Sequence, residues 1–178
     1  QTFRDLGAHG NPHVNTPAIN NLVRKGISFR NAYCTNPACG PSRSSWITSR
    51  MPHETGVNYN GQRPKESIPN MGEIFREKGY RTILAGKWHL PDGYPLADNK
   101  QENVRGFELL PYHPPNNRGW NRGIKSDDAL SISVSNFLMN YKDNKPFLLF
   151  VSFTNPHDIC YCPREPENFP MPNNKNKL

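Results

Sequence analysis

A chain of 178 residues can bury one substantial core and is too short for two ordinary domains. Its formal charge of +7 favours anionic partners, yet the basic residues are scattered and carry no nucleic-acid fingerprint, so a small anionic substrate is expected and nucleic acid is not. Eighteen prolines and 13 glycines mark a loop-rich fold; apolar segments between them exclude general disorder, and none reaches the ~18 residues that suggest a membrane span.

The chain opens "QTFRDLGAHG", with no initiator Met and no basic-then-apolar leader, which reads as a processed, trimmed or partial polypeptide. "NTPAINNLVRKG" predicts a helix, with Thr16 as N-cap, Pro17 in the first position and Gly26 as the stop. Ile19, Leu22 and Val23 give it one apolar face. "ISFRNAYC" reads as a short extended piece in which Ile27 and Phe29 alternate. "CGPSRSSWITSR", Cys39–Arg50, then starts a second helix, whose buried side is assigned to Trp46 and Ile47. After a loop rich in Pro, Gly and Asn, "NMGEIFREKGY" predicts a short helix stopped by Gly79. "RTILA" is a strand that bends at Gly86 into a loop carrying Lys87 and His89. Residues 91–125 read as one long excursion. "SDDALSISVSNFLMNYK" predicts a helix capped by Ser126 or Asp127, with Leu130, Val134, Phe137, Leu138 and Tyr141 on one face. "KPFLLFVSF" is a continuous apolar run, expected of a strand buried on both faces of a sheet. This order of elements predicts an α/β fold around a largely parallel sheet.

In such sheets functional groups gather at the carboxyl ends of strands. Two predicted strands end in loops of that kind, one carrying Lys87 and His89, the other His157 and Asp158; Cys39 and Arg43 make a third cluster. The four cysteines, Cys34, Cys39, Cys160 and Cys162, contain no Cys-x-x-Cys, and "CYC" is open to a disulfide, a metal site or two plain thiols. The Cys-x5-Arg loop of cysteine phosphatases would need Arg at the position of Ser45, so that reading fails. A Cys–His pair could draw on His89 or His157 but gives Arg43 no purpose. A helix N-terminus with a guanidinium one turn along is suited to a tetrahedral oxyanion. Spacing alone leaves that reading beside a structural Cys39, a surface Lys87, a capping or core His89 and a structural His157.

"CGPSRSSWITSR" resembles the type I sulfatase signature, Cys-x-Pro-Ser-Arg, four residues, then Thr-Gly-Arg. Cys39, Pro41, Ser42, Arg43, Thr48 and Arg50 match, and Ser49 replaces the usual Gly. "GYRTILAGKWHL" resembles the second signature of that family at Gly79, Tyr80, Thr82, Gly86, Lys87 and His89. "LGAHGNPHVNTPAINNLVRKGISFRNAYC" is similar to the segment that precedes the cysteine, and "FLLFVSFTNPHD" to the strand and loop that carry a substrate-binding His, matched by His157. The likeness runs from residue 1 to about residue 160.

The resemblance implies an alkaline-phosphatase-like sandwich, a largely parallel sheet with helices on both faces, here incomplete: residues 1–178 would be the amino-terminal part of the catalytic domain, inactive alone. It implies that Cys39 is oxidised to formylglycine by a maturation enzyme that reads the unfolded chain. A thiolate attacking sulfur would leave an adduct with no easy exit, whereas a hydrated aldehyde has one hydroxyl to attack and another to expel sulfate. Arg43 would orient the gem-diol, Lys87 neutralise sulfate oxygens, His89 act as base in the second step, and His157 bind sulfate and protonate the leaving alcohol.

The family also holds a divalent cation, usually calcium, with an Asp-Asp pair that would lie before Gln1 and an Asp-Asn pair beyond Leu178; within this chain only Cys39, once modified, matches a metal contact. Asp127 and Asp128 read as capping charges and are not promoted to ligands. The expected substrate is a sulfated small molecule or saccharide, as an ester or N-sulfate. The rivals are a phosphonate monoester hydrolase or phosphodiesterase of the same superfamily, and a non-catalytic anion- or glycan-binding module. Family members are periplasmic, lysosomal or secreted, and the sequence does not choose among these compartments.

Overall fold

The computed structural model describes residues 3–91, 104–110 and 122–157. Cys160, Cys162, Asp158 and most of the 91–125 excursion lie outside the described residues. The chain divides into two compact units, Gln1–Pro37 and Ala38–Leu178.

In the first unit, two 3₁₀ turns, Phe3–Asp5 and Gly7–His9, precede helix α1, Pro17–Lys25. Pro17 and Gly26 stand where the sequence puts them, but Thr16 does not cap α1 with its side chain. Its hydroxyl instead accepts from the Gly7 N–H at 3.0 Å and donates to Asn20 Oδ1 at 2.8 Å, which ties the second 3₁₀ turn to the helix. The expected apolar face buries no residue, and Leu22 is 69% exposed. The extended piece at residues 27–34 forms no strand, and Ile27 and Phe29 are exposed. Alternation of two apolar residues supplies no partner for the backbone, and an unpaired strand is not stable.

The second unit holds α2 (Cys39–Thr48), α3 (Pro52–Thr55), α4 (Met71–Glu77), β1 (Arg81–Gly86), β2 (Glu108–Leu109), α5 (Arg122–Asn140) and β3 (Phe147–Ser152). All the strand pairings are parallel, in the order β2-β1-β3, and the β1–β3 register runs from Arg81↔Phe147 to Gly86↔Ser152. β1 is therefore the central strand of the described sheet and is buried from Thr82 onward. β3 is only half-buried along most of its length, because among the described residues it pairs with β1 alone. Its side chains still reach both core layers, Leu148 and Phe150 one and Leu149 and Val151 the other, so the expected two-sided strand is present but less buried than its apolar run implies.

Alternate β1 side chains point to opposite faces. Leu84 joins Ile47 of α2, Val57, Trp88, Leu90, Val104 and Phe107 in one core layer, with Met71 of α4 packed against it. Ile83 and Ala85 join Leu130 of α5 in the other, flanked by Val134 and Phe137. Helices thus cover both faces of a parallel sheet. α5 starts at Arg122, a full turn before the expected cap, so neither Ser126 nor Asp127 is its N-cap. Leu138 is exposed, while the Tyr141 ring, just beyond the helix, packs on Phe137 and Phe147. Trp46 is also partly exposed but stacks on Phe150 at 4.5 Å. The buried side of α2 is made mainly of Gly40, Pro41, Ser44 and Ser45 with Ile47, small residues that let the helix lie close. Among the described residues no helix is long and apolar enough to cross a membrane.

Candidate active site

Cys39 is the first residue of α2, a free and half-buried cysteine. Arg43 follows one turn later, and side chains at i and i+4 are neighbours on a helix surface. The helix terminus is less open to an anion than its sequence implies. The Gly40 N–H donates to Asn60 Oδ1 at 2.7 Å, Pro41 has no N–H, and the Ser42 N–H donates to the Ala38 carbonyl at 3.1 Å.

Arg43 joins three parts of the chain. Its Nη1 donates to the Lys87 carbonyl at 2.7 Å and more weakly to that of Trp88 at 3.4 Å, and its Nη2 donates to Ser152 Oγ at 3.0 Å. The Lys87 N–H in turn donates to the Ser152 carbonyl at 2.8 Å. Lys87 thus has its backbone fixed on both sides, by Ser152 through the N–H and by Arg43 through the carbonyl. Gly86 makes this join possible: its φ is +93°, and a Cβ there would run into the Ser152 carbonyl oxygen and the Leu130 side chain. Ser152 is 8% exposed and was not singled out from the sequence, where it is one small residue at the end of an apolar run.

His89 follows with φ of +64°, a left-handed conformation rare for a residue with a Cβ and one that clusters at functional sites. His157 is exposed and sits five residues beyond the end of β3. Because Gly86 and Ser152 are register partners on adjacent parallel strands, the loops bearing Lys87, His89 and His157 leave the same edge of the sheet. Arg43 reaches that edge from α2. The structure therefore gathers the Cys39/Arg43 turn, the Lys87–His89 segment and the start of the His157 loop at one end of the sheet.

The acidic pair separates. Asp127 accepts from two backbone N–H groups in the His157 loop, while Asp128 is exposed. Among the described residues no group of three or more His, Cys, Asp or Glu is placed to hold a metal ion. Cys39 by itself does not make a calcium site, so the described residues do not hold the ion alone. A concavity of about 450 Å³ lined by Arg76, Tyr80, Arg81, Glu108, Asp143 and Lys145 opens at the start of β1, the end of the strand opposite Lys87.

The sequence matches the Sulfatase family model over residues 1–176. It is 33% identical to an ulvan-active sulfatase of Formosa agariphila, covering 85% of this chain and 32% of that protein. It is 30% identical to a Δ4,5-hexuronate-2-O-sulfatase of Bacteroides thetaiotaomicron, covering 89% and 33%. In fold it is similar to a solved 2-O GAG sulfatase, with a TM-score of 0.65 and 29% identity over 90% of this chain and 34% of that one. The chain thus spans about a third of the length of these curated relatives. The layered sheet agrees with the alkaline-phosphatase-like sandwich expected from the sequence. With the match covering nearly its whole length, the chain belongs to the sulfatase family.

Proposed function

We propose that this chain supplies the amino-terminal part of a sulfatase catalytic domain, and that the whole protein hydrolyses a sulfate ester or N-sulfate after Cys39 is converted to formylglycine. The observation that carries this reading is the Arg43 bracket. Arg43, one helical turn from residue 39, bonds the Lys87 carbonyl and so joins the two signature segments across 44 residues, just beyond the end of β1. The modified residue supplies a hydrated aldehyde, with one hydroxyl to attack sulfur and a second to expel sulfate. Arg43, held by its carbonyl and hydroxyl acceptors, keeps positive charge beside that group. Lys87, on a backbone fixed at both ends, neutralises sulfate oxygens as charge builds on them. His89 takes the proton of the second hydroxyl, and His157 binds sulfate and protonates the departing alcohol. Residue 39, once modified, would be this chain's one contact to a calcium ion held mainly by the rest of the protein.

The relatives' names, one ulvan-active and one specific for the 2-O position of a hexuronate, support a sulfated saccharide as the substrate class. The maturation enzyme is the second partner the reading requires. The test is peptide mass spectrometry of residue 39 in full-length protein from a host that carries this enzyme, paired with turnover of matched aryl sulfate and aryl phosphonate esters. An aldehyde and a preference for sulfate are expected. An unconverted thiol, or a clear preference for phosphonate, overturns the reading.

A further inference from the structure

Asp127 is the sixth residue of α5, too far along to cap its own helix. Both of its carboxylate oxygens are used on another segment. Oδ1 accepts from the Thr154 N–H and Oδ2 from the Asn155 N–H, each at 2.8 Å. The Thr154 carbonyl then accepts from the His157 N–H at 3.1 Å, so the backbone of His157 hangs from a residue that Asp127 holds. One turn earlier on α5, Gly123 lies so near Asn155 that a Cβ would come within 2.7 Å of its side-chain oxygen. Two residues before the Thr154–His157 turn, at the end of β3, Ser152 is held by Arg43. Hydrogen bonds to an ionised carboxylate are roughly twice as strong as neutral ones. Two of them on consecutive amides fix both the position and the direction of a short turn.

We infer that Asp127 is a positioning residue for His157: its ionised carboxylate sets the Thr154–His157 turn and so the placement of the imidazole at the substrate. This rests on the reading above, in which His157 contacts the sulfate group and the leaving alcohol. In Asp127→Asn the amide keeps one acceptor and turns a donor toward an N–H, so the turn loses one bond and gains a repulsion. Misplacement of a catalytic group by about 1 Å can cost up to a hundredfold in rate. His157 suffers most, because Arg43 and Lys87 bond to Ser152 at the end of β3, before the turn that Asp127 holds.

The test is a double-mutant cycle in the full-length enzyme, reading kcat/KM on an alkyl or saccharide sulfate and on 4-nitrophenyl sulfate, with Asp128→Asn as the control. Asp127→Asn is expected to lower kcat/KM about tenfold on the poor leaving group and much less on 4-nitrophenyl sulfate. In the His157→Ala background it should cost nothing further. Asp127→Glu, which keeps the charge and both acceptors, should restore part of the loss and serves as the second variant if Asp127→Asn fails to fold. An equal loss in both backgrounds, or no dependence on the leaving group, overturns the inference while leaving the role of His157 standing. A His157→Ala enzyme with unchanged kcat/KM would overturn both.

Discussion

Ser49 shows how one residue records a backbone demand. It ends α2 in the left-handed region, at φ 56° and ψ 32°, where the family signature has Gly. A residue with a Cβ costs roughly 1–2 kcal/mol there, and a glycine costs less in the folded state but more in unfolded-chain entropy, by about 0.4–1 kcal/mol. Ser49→Gly is therefore expected to stabilise the protein modestly, by about 0.5–1 kcal/mol. In a chain of this size that raises Tm by about 1–4 °C, a shift that a thermal melt resolves. An unchanged or lower Tm would mean that the exposed Ser49 hydroxyl contributes something the hydrogen bonds do not include. Single residues also decide how much of the proposed site is legible in the sequence. Cys39, Arg43, Lys87, His89 and His157 could all be named because their residue types sit in spaced motifs. Asn60 and Ser152 could not, and Asp127 reads only as a capping charge, because each acts through a contact 20 to 109 residues away that leaves no trace in local spacing.

At the scale of elements, α4 is held by its cap. Asn70 Oδ1 accepts from the Glu73 N–H at 3.1 Å, and Glu73 Oε2 accepts from the Asn70 N–H at 2.9 Å. The Asn70 amide also donates to the Arg105 carbonyl at 3.0 Å, while Arg105 pairs with Glu73 at 2.8 Å. The cap thus fastens the segment that brings β2 alongside β1. Asn70→Ala is expected to cost about 1–2 kcal/mol, seen as a lower denaturation midpoint, since the residue is buried and loses two roles at once. A cost under about 0.5 kcal/mol would mean that the β2 segment is held by other contacts. Cap and stop residues, apolar spacing and a continuous apolar run together reveal α1, α2, α4, β1, β3 and most of α5 in the sequence. They miss β2, whose two residues are too few to show alternation and whose place depends on Asn70, Thr82 and Arg105. They also set a strand at residues 27–34, where side-chain alternation is present without a partner for the backbone.

For the molecule as a whole, the described core is thin beside the apolar surface around it. Phe147, Phe153 and Trp46 are each more than a third exposed along the β3 side of the sheet. On the proposal that residues 1–178 are the amino-terminal part of a larger catalytic domain, this polypeptide produced by itself is expected to bind a hydrophobic dye through these exposed rings and to turn over no aryl sulfate, while the full-length protein does the reverse. Turnover by the isolated 178-residue chain at the full-length rate would show that these residues suffice. The Arg43 bracket has one more consequence, in time. Arg43 and Ser152 are 109 residues apart, so their hydrogen bond cannot exist until more than a hundred further residues have been synthesised. At ribosomal speeds of about 5–20 residues per second, the α2 segment passes roughly 5–20 s without its final clasp. On the proposed reading, the enzyme that modifies Cys39 in the extended chain has that interval in which to act, and the bond that closes it is the one that holds Arg43.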